Sequence, residues 1–99
     1  MTQCSDLNEV RENIDRIDRQ IVEMIARRSG YVIQAAQFKK DIDAVKAPKR
    51  VEAVIEKVRL LADEFNIDAD VVESVYRNMI NSFTKMELAE HEKATGSLK

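Results

Sequence analysis

Little in this chain of 99 residues can break a helix or staple a fold: it has two glycines, one proline, one cysteine and no tryptophan, with two tyrosines and three phenylalanines as its only aromatics. One cysteine excludes an internal disulfide, and Cys4 reads as an inert thiol in an N-terminal tail, which makes a reducing cytoplasm the natural compartment. The single histidine, His91, has no Cys or His neighbours at ligand spacing, so no metal site is expected. No apolar run approaches the roughly 20 residues needed to cross a bilayer. The opening Met1-Thr2-Gln3-Cys4-Ser5 has no basic stretch leading into an apolar segment, so no signal peptide is expected either. A net charge of −2 gives no electrostatic footprint for nucleic acid.

What is present is helical periodicity. Apolar residues make up 44% of the chain and charged residues 34%, a balance that suits long helices with one wet face in one small domain. The spacing predicts three helices and an all-α fold. The first runs from about Leu7 to Lys40, with Val10, Ile14, Ile17, Ile21, Met24, Ile25, Val32, Ala35 and Phe38 at three-four spacing. Asp6 suits its N-cap, with Glu9 placed as in a capping box. Gly30 lies inside the run, but the apolar stripe keeps its phase across it, so the helix is predicted to continue. Asp41 to Ala47 reads as a loop, and Pro48 as the first residue of a second helix reaching about Phe65, where its missing N–H is harmless. Its inward set is Val51, Val54, Ile55, Val58, Leu61, Ala62 and Phe65. Asn66-Ile67-Asp68 turns the chain, with Asp68 as N-cap of a third helix from Ala69 to about His91 that turns Val72, Val75, Tyr76, Met79, Ile80, Phe83 and Met86 inward. The domain spans 1–99, ordered over about 7–91, with tails at 1–5 and 92–99.

A first helix of that length spans roughly 50 Å. The two shorter helices cannot cover its whole apolar stripe, and an uncovered stripe would be a large exposed apolar face. A homodimer whose long helices pack together is therefore expected.

Charged residues interrupt these stripes. Arg28 and Lys39 fall on the inward face of the first helix: at about 100° per residue they lie about 20° apart, three turns along. Glu87 follows Phe83 by one turn on the last helix. A buried cation costs several kcal/mol unless an anion meets it. Two readings are open for each residue. Lys39 either snorkels from the stripe edge or pairs with an acid on another helix, or it meets an anionic ligand. Glu87 is either an edge residue bonded to a lysine or a carboxyl lining the same cavity. Arg11 lies roughly 25 Å from Arg28 along the helix, too far to serve one site within a straight helix. In an antiparallel dimer it reaches the partner's site. Arg50 sits in the first turn of the second helix, where a cation opposes the helix dipole and calls for compensation. A small anionic molecule held inside a helical bundle is the leading expectation.

At these residues the chain resembles a known family. Leu7-Asn8-Glu9-Val10-Arg11-Glu12-Asn13-Ile14-Asp15-Arg16-Ile17-Asp18 is similar to the opening of the all-helical (AroQ-type) chorismate mutases. Ala26-Arg27-Arg28, then Lys39 and Arg50, continue the pattern at matching intervals, and the likeness runs from about Leu7 to His91. It implies an intertwined dimer of three-helix protomers. It also implies a small anionic substrate whose carboxylates meet Arg28 and Arg11 of the partner subunit. Lys39 would contact the ether oxygen and a carboxylate, Arg50 would lie over the substrate, and Ala35, Val51, Ile80 and Phe83 would line the pocket with the catalytic Lys39, Glu87 and Arg28. Rearrangement of chorismate to prephenate is unimolecular. It needs no nucleophile, proton relay or cofactor, only cations that hold a compact conformer and stabilise charge as the C–O bond breaks.

The chain departs from the mutase pattern at three positions. Glu87 stands where many bacterial members have Gln; an ionised Glu repels the ether oxygen, whereas a protonated one donates to it, so activity is expected to fall as pH rises and Glu87 ionises. Val51 replaces the acid that commonly meets the ring hydroxyl. Phe83 replaces a common Ser. Ala47-Pro48-Lys49-Arg50-Val51 is more similar to the isochorismate-pyruvate lyase branch of the same fold, which leaves salicylate. The resemblance ranks chorismate mutase first. The lyase, or a mutase for an amino-deoxychorismate, is the alternative, and a non-catalytic helical dimerisation or metabolite-binding module is the remote one.

Overall fold

A computed structural model describes residues 3–96 of the chain. They form α1 (Leu7–Ala36), α2 (Ile42–Lys46), α3 (Pro48–Glu64) and α4 (Ala69–Gly96), with no strand among the described residues. The all-α class holds, with the three expected helices joined by one short extra turn. Among the described residues no helix is long and apolar enough to cross a membrane. The chain divides into two compact units, one ending at Tyr31 and one beginning at Val32.

The first unit is the greater part of α1. Asp6 caps it: its Oδ1 accepts the Glu9 N–H at 2.8 Å. Glu9 reaches back to the Ser5 N–H at 2.9 Å, so the expected capping box closes one residue early. Asn13 donates from Nδ2 to the Glu9 carbonyl and, at 3.6 Å, to Cys4 Sγ. Cys4 is thereby half-buried against the first turns; residues 1 and 2 of the expected tail lie outside the described residues. The helix passes Gly30 unbroken, as its stripe predicts. No residue of α1 is buried: Ile14, Ile17, Ile21 and Met24 are 50, 52, 49 and 51% exposed.

α1 was expected to reach Lys40 but ends at Ala36. Beyond it the Gln37, Phe38 and Lys39 amides bond three residues back, to the Gln34, Ala35 and Ala36 carbonyls at 3.1, 3.0 and 3.3 Å. This tighter winding leaves the α-helical phase. Lys39 is therefore off the helix, and the phase argument that set it beside Arg28 does not apply. Asp41, with an extended backbone, caps a new helix, its Oδ1 accepting the Ala44 N–H at 2.8 Å. A residue in that conformation cannot also continue α1. The segment expected to be a loop is thus α2, and its Val45 is 2% exposed.

Ala47 joins α2 to α3 in the left-handed region, φ 38 and ψ 60, its N–H on the Asp43 carbonyl and its own carbonyl on the Val51 N–H. That conformation costs an alanine on the order of 1 kcal/mol. Pro48 follows as the first residue of α3, as expected. The end of α3 is a Schellman cap. Asn66, at φ 58, bonds to the Asp63 carbonyl, and Ile67 bonds to that of Ala62. Asp68 then caps α4, its Oδ1 accepting the Asp70 N–H at 2.8 Å. α4 continues to Gly96, past the expected end at His91, and residues 97–99 lie outside the described residues.

α3 packs on α4, and α2 packs on α4. Glu52 meets Arg77, while Arg59 meets Asp70 and Glu73, so pairing numbers run in opposite directions and the two long helices are antiparallel. Val45, Ile55, Val58 and Ala62 are the buried apolar residues. Two helices in contact cover only the centre of each other's stripe. Val51, Val54, Val72, Tyr76, Met79, Ile80 and Phe83 are accordingly half-buried, and Leu61, Phe65, Val75 and Met86 stay exposed at its edges.

Candidate active site

The second unit brings two of the expected catalytic residues into contact. Lys39, on the tight turns after α1, places Nζ 2.8 Å from Glu87 Oε2 on α4. The Glu87 side chain is 7% exposed and that of Lys39 is 24% exposed. An ammonium donating to a carboxylate at this distance is a charge-assisted hydrogen bond. It satisfies a buried acid whose exposure would otherwise have to rise. Of the two readings open for each residue, the contact present in the chain is their mutual pair. The anion meeting Lys39 in this structure is therefore a fixed one. No other buried polar or charged residue occurs among the described residues.

Val51 and Ile80, expected to line the same pocket as this pair, line an open groove of about 490 Å³ between the end of α2, the start of α3 and α4. Lys46, Pro48, Lys85 and Leu88 line it with them, and Lys39 and Glu87 do not. Ile80, Thr84 and Leu88 lie on one face of α4, and Glu87, seven residues after Ile80, falls about 20° from it around the helix, at the edge of that face.

The remaining expected site residues are distributed as follows. Arg11 is exposed near the start of α1, and Arg28 is half-buried further along it. Ala35 is exposed in the last turn of α1. Arg50 is exposed in the first turn of α3, where no acid accompanies it and where the structure gives it no ion-pair partner among the described residues. The compensation expected for Arg50 against the helix dipole is thus not found among the described residues. Phe83 is half-buried on α4, one turn before Glu87.

Sequence reasoning missed the strongest charge cluster. Arg77 grips Glu52 with both terminal nitrogens, each at 2.9 Å, and Glu73 through Nε at 2.7 Å. Arg59 holds Glu73 at 2.7 Å and Asp70 at 3.0 Å. Hydrogen bonding to Arg77 holds the Glu52 and Glu73 carboxyls below the ordinary 4.5, with Arg59 adding to the effect on Glu73. The same bonds raise Arg77, through Glu52 first and Glu73 second. Arg59 is raised by Asp70 and then Glu73. The i,i+4 spacing of Glu73 and Arg77 was the available signal; the cross-helix partners had none. These pairs clasp α3 to α4 on an exposed face, and Glu52 and Arg77 also line the groove.

Helices alone define the class: an all-helical protein with a buried carboxylate paired to one lysine. The particular family follows from comparison. Residues 10–88 match the family model of chorismate mutase type II, and the chain belongs to that family. It is 40% identical over 78 residues to the isochorismate pyruvate lyase of Pseudomonas aeruginosa, covering 79% of this chain and 77% of that protein. It is 32% identical over 75 residues to the T-protein of Haemophilus influenzae, covering 75% of this chain but 20% of that much longer protein. The family and the lyase relative both support an enzyme.

Proposed function

We propose that the chain breaks the ring C–O ether bond of a chorismate-type dianion, and that isochorismate is its principal substrate, leaving as salicylate and pyruvate. The observation that carries the chemistry is Lys39, whose ammonium is fixed by α4 in a mostly buried position. When the ether bond breaks, negative charge grows on the enolpyruvyl oxygen, and a point cation at that oxygen stabilises it. One ring hydrogen passes to the enolpyruvyl methylene, which becomes the methyl group of pyruvate, and the ring becomes aromatic. No atom is gained or lost. In this reading Arg28 and Arg11 of the partner subunit hold the two carboxylates as bidentate forks, and Arg50 closes over them.

The sequence alone ranks the mutase first; two observations reverse that order. One is the 40% identity to a lyase over most of both chains. The other is Val51, which offers no acceptor to the ring hydroxyl where mutases commonly carry an acid. The second reading, rearrangement of chorismate to prephenate at the same site, draws its support from the family model, which is that of the mutases. A homodimer is part of the proposal. It would cover the half-exposed isoleucines of α1, which as a free surface would be a continuous apolar face.

The test is to give the purified protein isochorismate and chorismate separately. Salicylate is followed by its fluorescence, and prephenate by its acid conversion to phenylpyruvate. Salicylate from isochorismate at a kcat/KM well above that for prephenate formation supports the lyase. The reverse ratio supports the mutase, and consumption of neither overturns both.

A further inference from the structure

We propose that Glu87 is a resting counter-ion for Lys39, one that an anionic substrate must share, so that Glu87 limits how tightly the site holds anions. The inference rests on the reading that Lys39 meets a substrate anion. Its observations are geometric. Glu87 is 6% exposed, and its Oε2 accepts from Lys39 Nζ at 2.8 Å. Lys39 stands off any helix, on turns whose backbone bonds reach only three residues back. A lysine there, with four rotatable carbons, has no scaffold of its own to aim it. The buried carboxylate on a long helix supplies the aim.

The same contact has a second consequence. A paired Lys39 presents little net charge to an arriving carboxylate, and a carboxylate arriving at Lys39 comes close to that of Glu87. Like charges placed together weaken binding. The ammonium has three donors, so it can keep one on Glu87 and turn others to the ligand. The ligand therefore shares the cation rather than owning it. Glutamine at this position would keep an oxygen for Lys39 to donate to while removing the negative charge. Glu87→Gln should therefore retain the aim of Lys39 and release its full charge.

The experiment uses phthalate, an unreactive aromatic dicarboxylate, as the probe, with binding followed by isothermal titration calorimetry on the full-length protein. Glu87→Gln should bind phthalate about tenfold more tightly than the wild type. Lys39→Ala/Glu87→Gln should lose that gain, because the gain acts through the lysine. KM for whichever substrate is turned over should fall in Glu87→Gln alongside the phthalate constant. A residue that merely supported the fold would weaken binding when changed, the opposite sign. Unchanged or weaker phthalate binding in Glu87→Gln, or the same gain in the double variant, overturns the proposal, as does a wild type that binds no phthalate at millimolar concentration. If phthalate behaves as expected while neither chorismate nor isochorismate is consumed, the counter-ion role stands and the proposed reaction fails. If a substrate is consumed but Glu87→Gln binds phthalate no better, the counter-ion role fails alone.

Discussion

Lys39 and Glu87 are joined Nζ to Oε2 at 2.8 Å across 48 positions of sequence, and the acid is the more deeply buried partner. Removing the lysine strands a buried carboxylate. Lys39→Ala should therefore lose about 1–3 kcal/mol of stability, less than a fully buried pair because the lysine side is partly wet. It should also lose turnover by at least about 100-fold, the scale of one missing charge stabiliser. Glu87→Leu added to Lys39→Ala removes the stranded acid, so the melting temperature should rise again while turnover stays lost. Thermal melts and steady-state rates on the two variants separate these effects. Recovery of turnover together with stability would mean that Lys39 has no role in the chemistry.

The Arg77 clasp makes stability depend on acid and salt. Glu52 and Glu73 are held below 4.5 by Arg77, so the folded chain binds fewer protons there than the unfolded chain does. The stability they contribute is present above that value and is lost as pH falls through their lowered ones. Arg77→Met should lower the melting temperature at pH 7, and the gap to wild type should close as pH falls from about 4.5 toward 3. The gap should also narrow in 1 M salt, because the pairs are exposed and screened. A gap that is constant across pH would assign the effect to lost packing of the arginine stem.

What was legible in the sequence divides by range. Asp6, Pro48 and Asp68 act within four residues of themselves, and each does in the structure what its position predicts. The continuity of α1 across Gly30 was legible because a stripe averages over many residues. The end of that helix was not, because Ala35 and Phe38 continue the apolar spacing while the backbone from Gln37 onward already winds more tightly. Periodicity sees the first and not the second. The Lys39–Glu87 pair could be read only as one option for each residue taken singly, since no local pattern ties two positions so far apart. Val51 and Ile80 were expected in one pocket with that pair; they line a groove whose walls do not include it, although Ile80 and Glu87, seven residues apart, lie only about 20° apart around α4.

Ala47 and Asn66 both adopt positive φ, at 38° and 58°. Asparagine tolerates that region through its short polar side chain, whereas alanine does not. Ala47→Gly should therefore be neutral or stabilising by up to about 1 kcal/mol, as relief of strain exceeds the added freedom of the unfolded chain. Asn66→Gly should gain less. Denaturant midpoints of the two variants give the comparison, and a clear loss in Ala47→Gly would mean that its methyl group contributes packing that outweighs the strain.

Arg11 offers the sharpest test of a shared site. It is exposed on α1, and an arginine so placed has little to do for its own chain. Arg11→Ala and Lys39→Ala should each be nearly inactive alone. Suppose the two proteins are mixed, unfolded and refolded together, so that half of the dimers carry one chain of each kind. If Arg11 serves the opposite protomer, one site in each mixed dimer keeps both its own Lys39 and an intact Arg11, and the other lacks both. About a quarter of all sites should then work, and activity should return to about a quarter of the wild-type value. If Arg11 serves its own protomer, both sites of the mixed dimer carry one defect and no activity returns. The same refolded sample on a sizing column gives the oligomeric state, so a failure to dimerise is told apart from dimers whose sites are not shared.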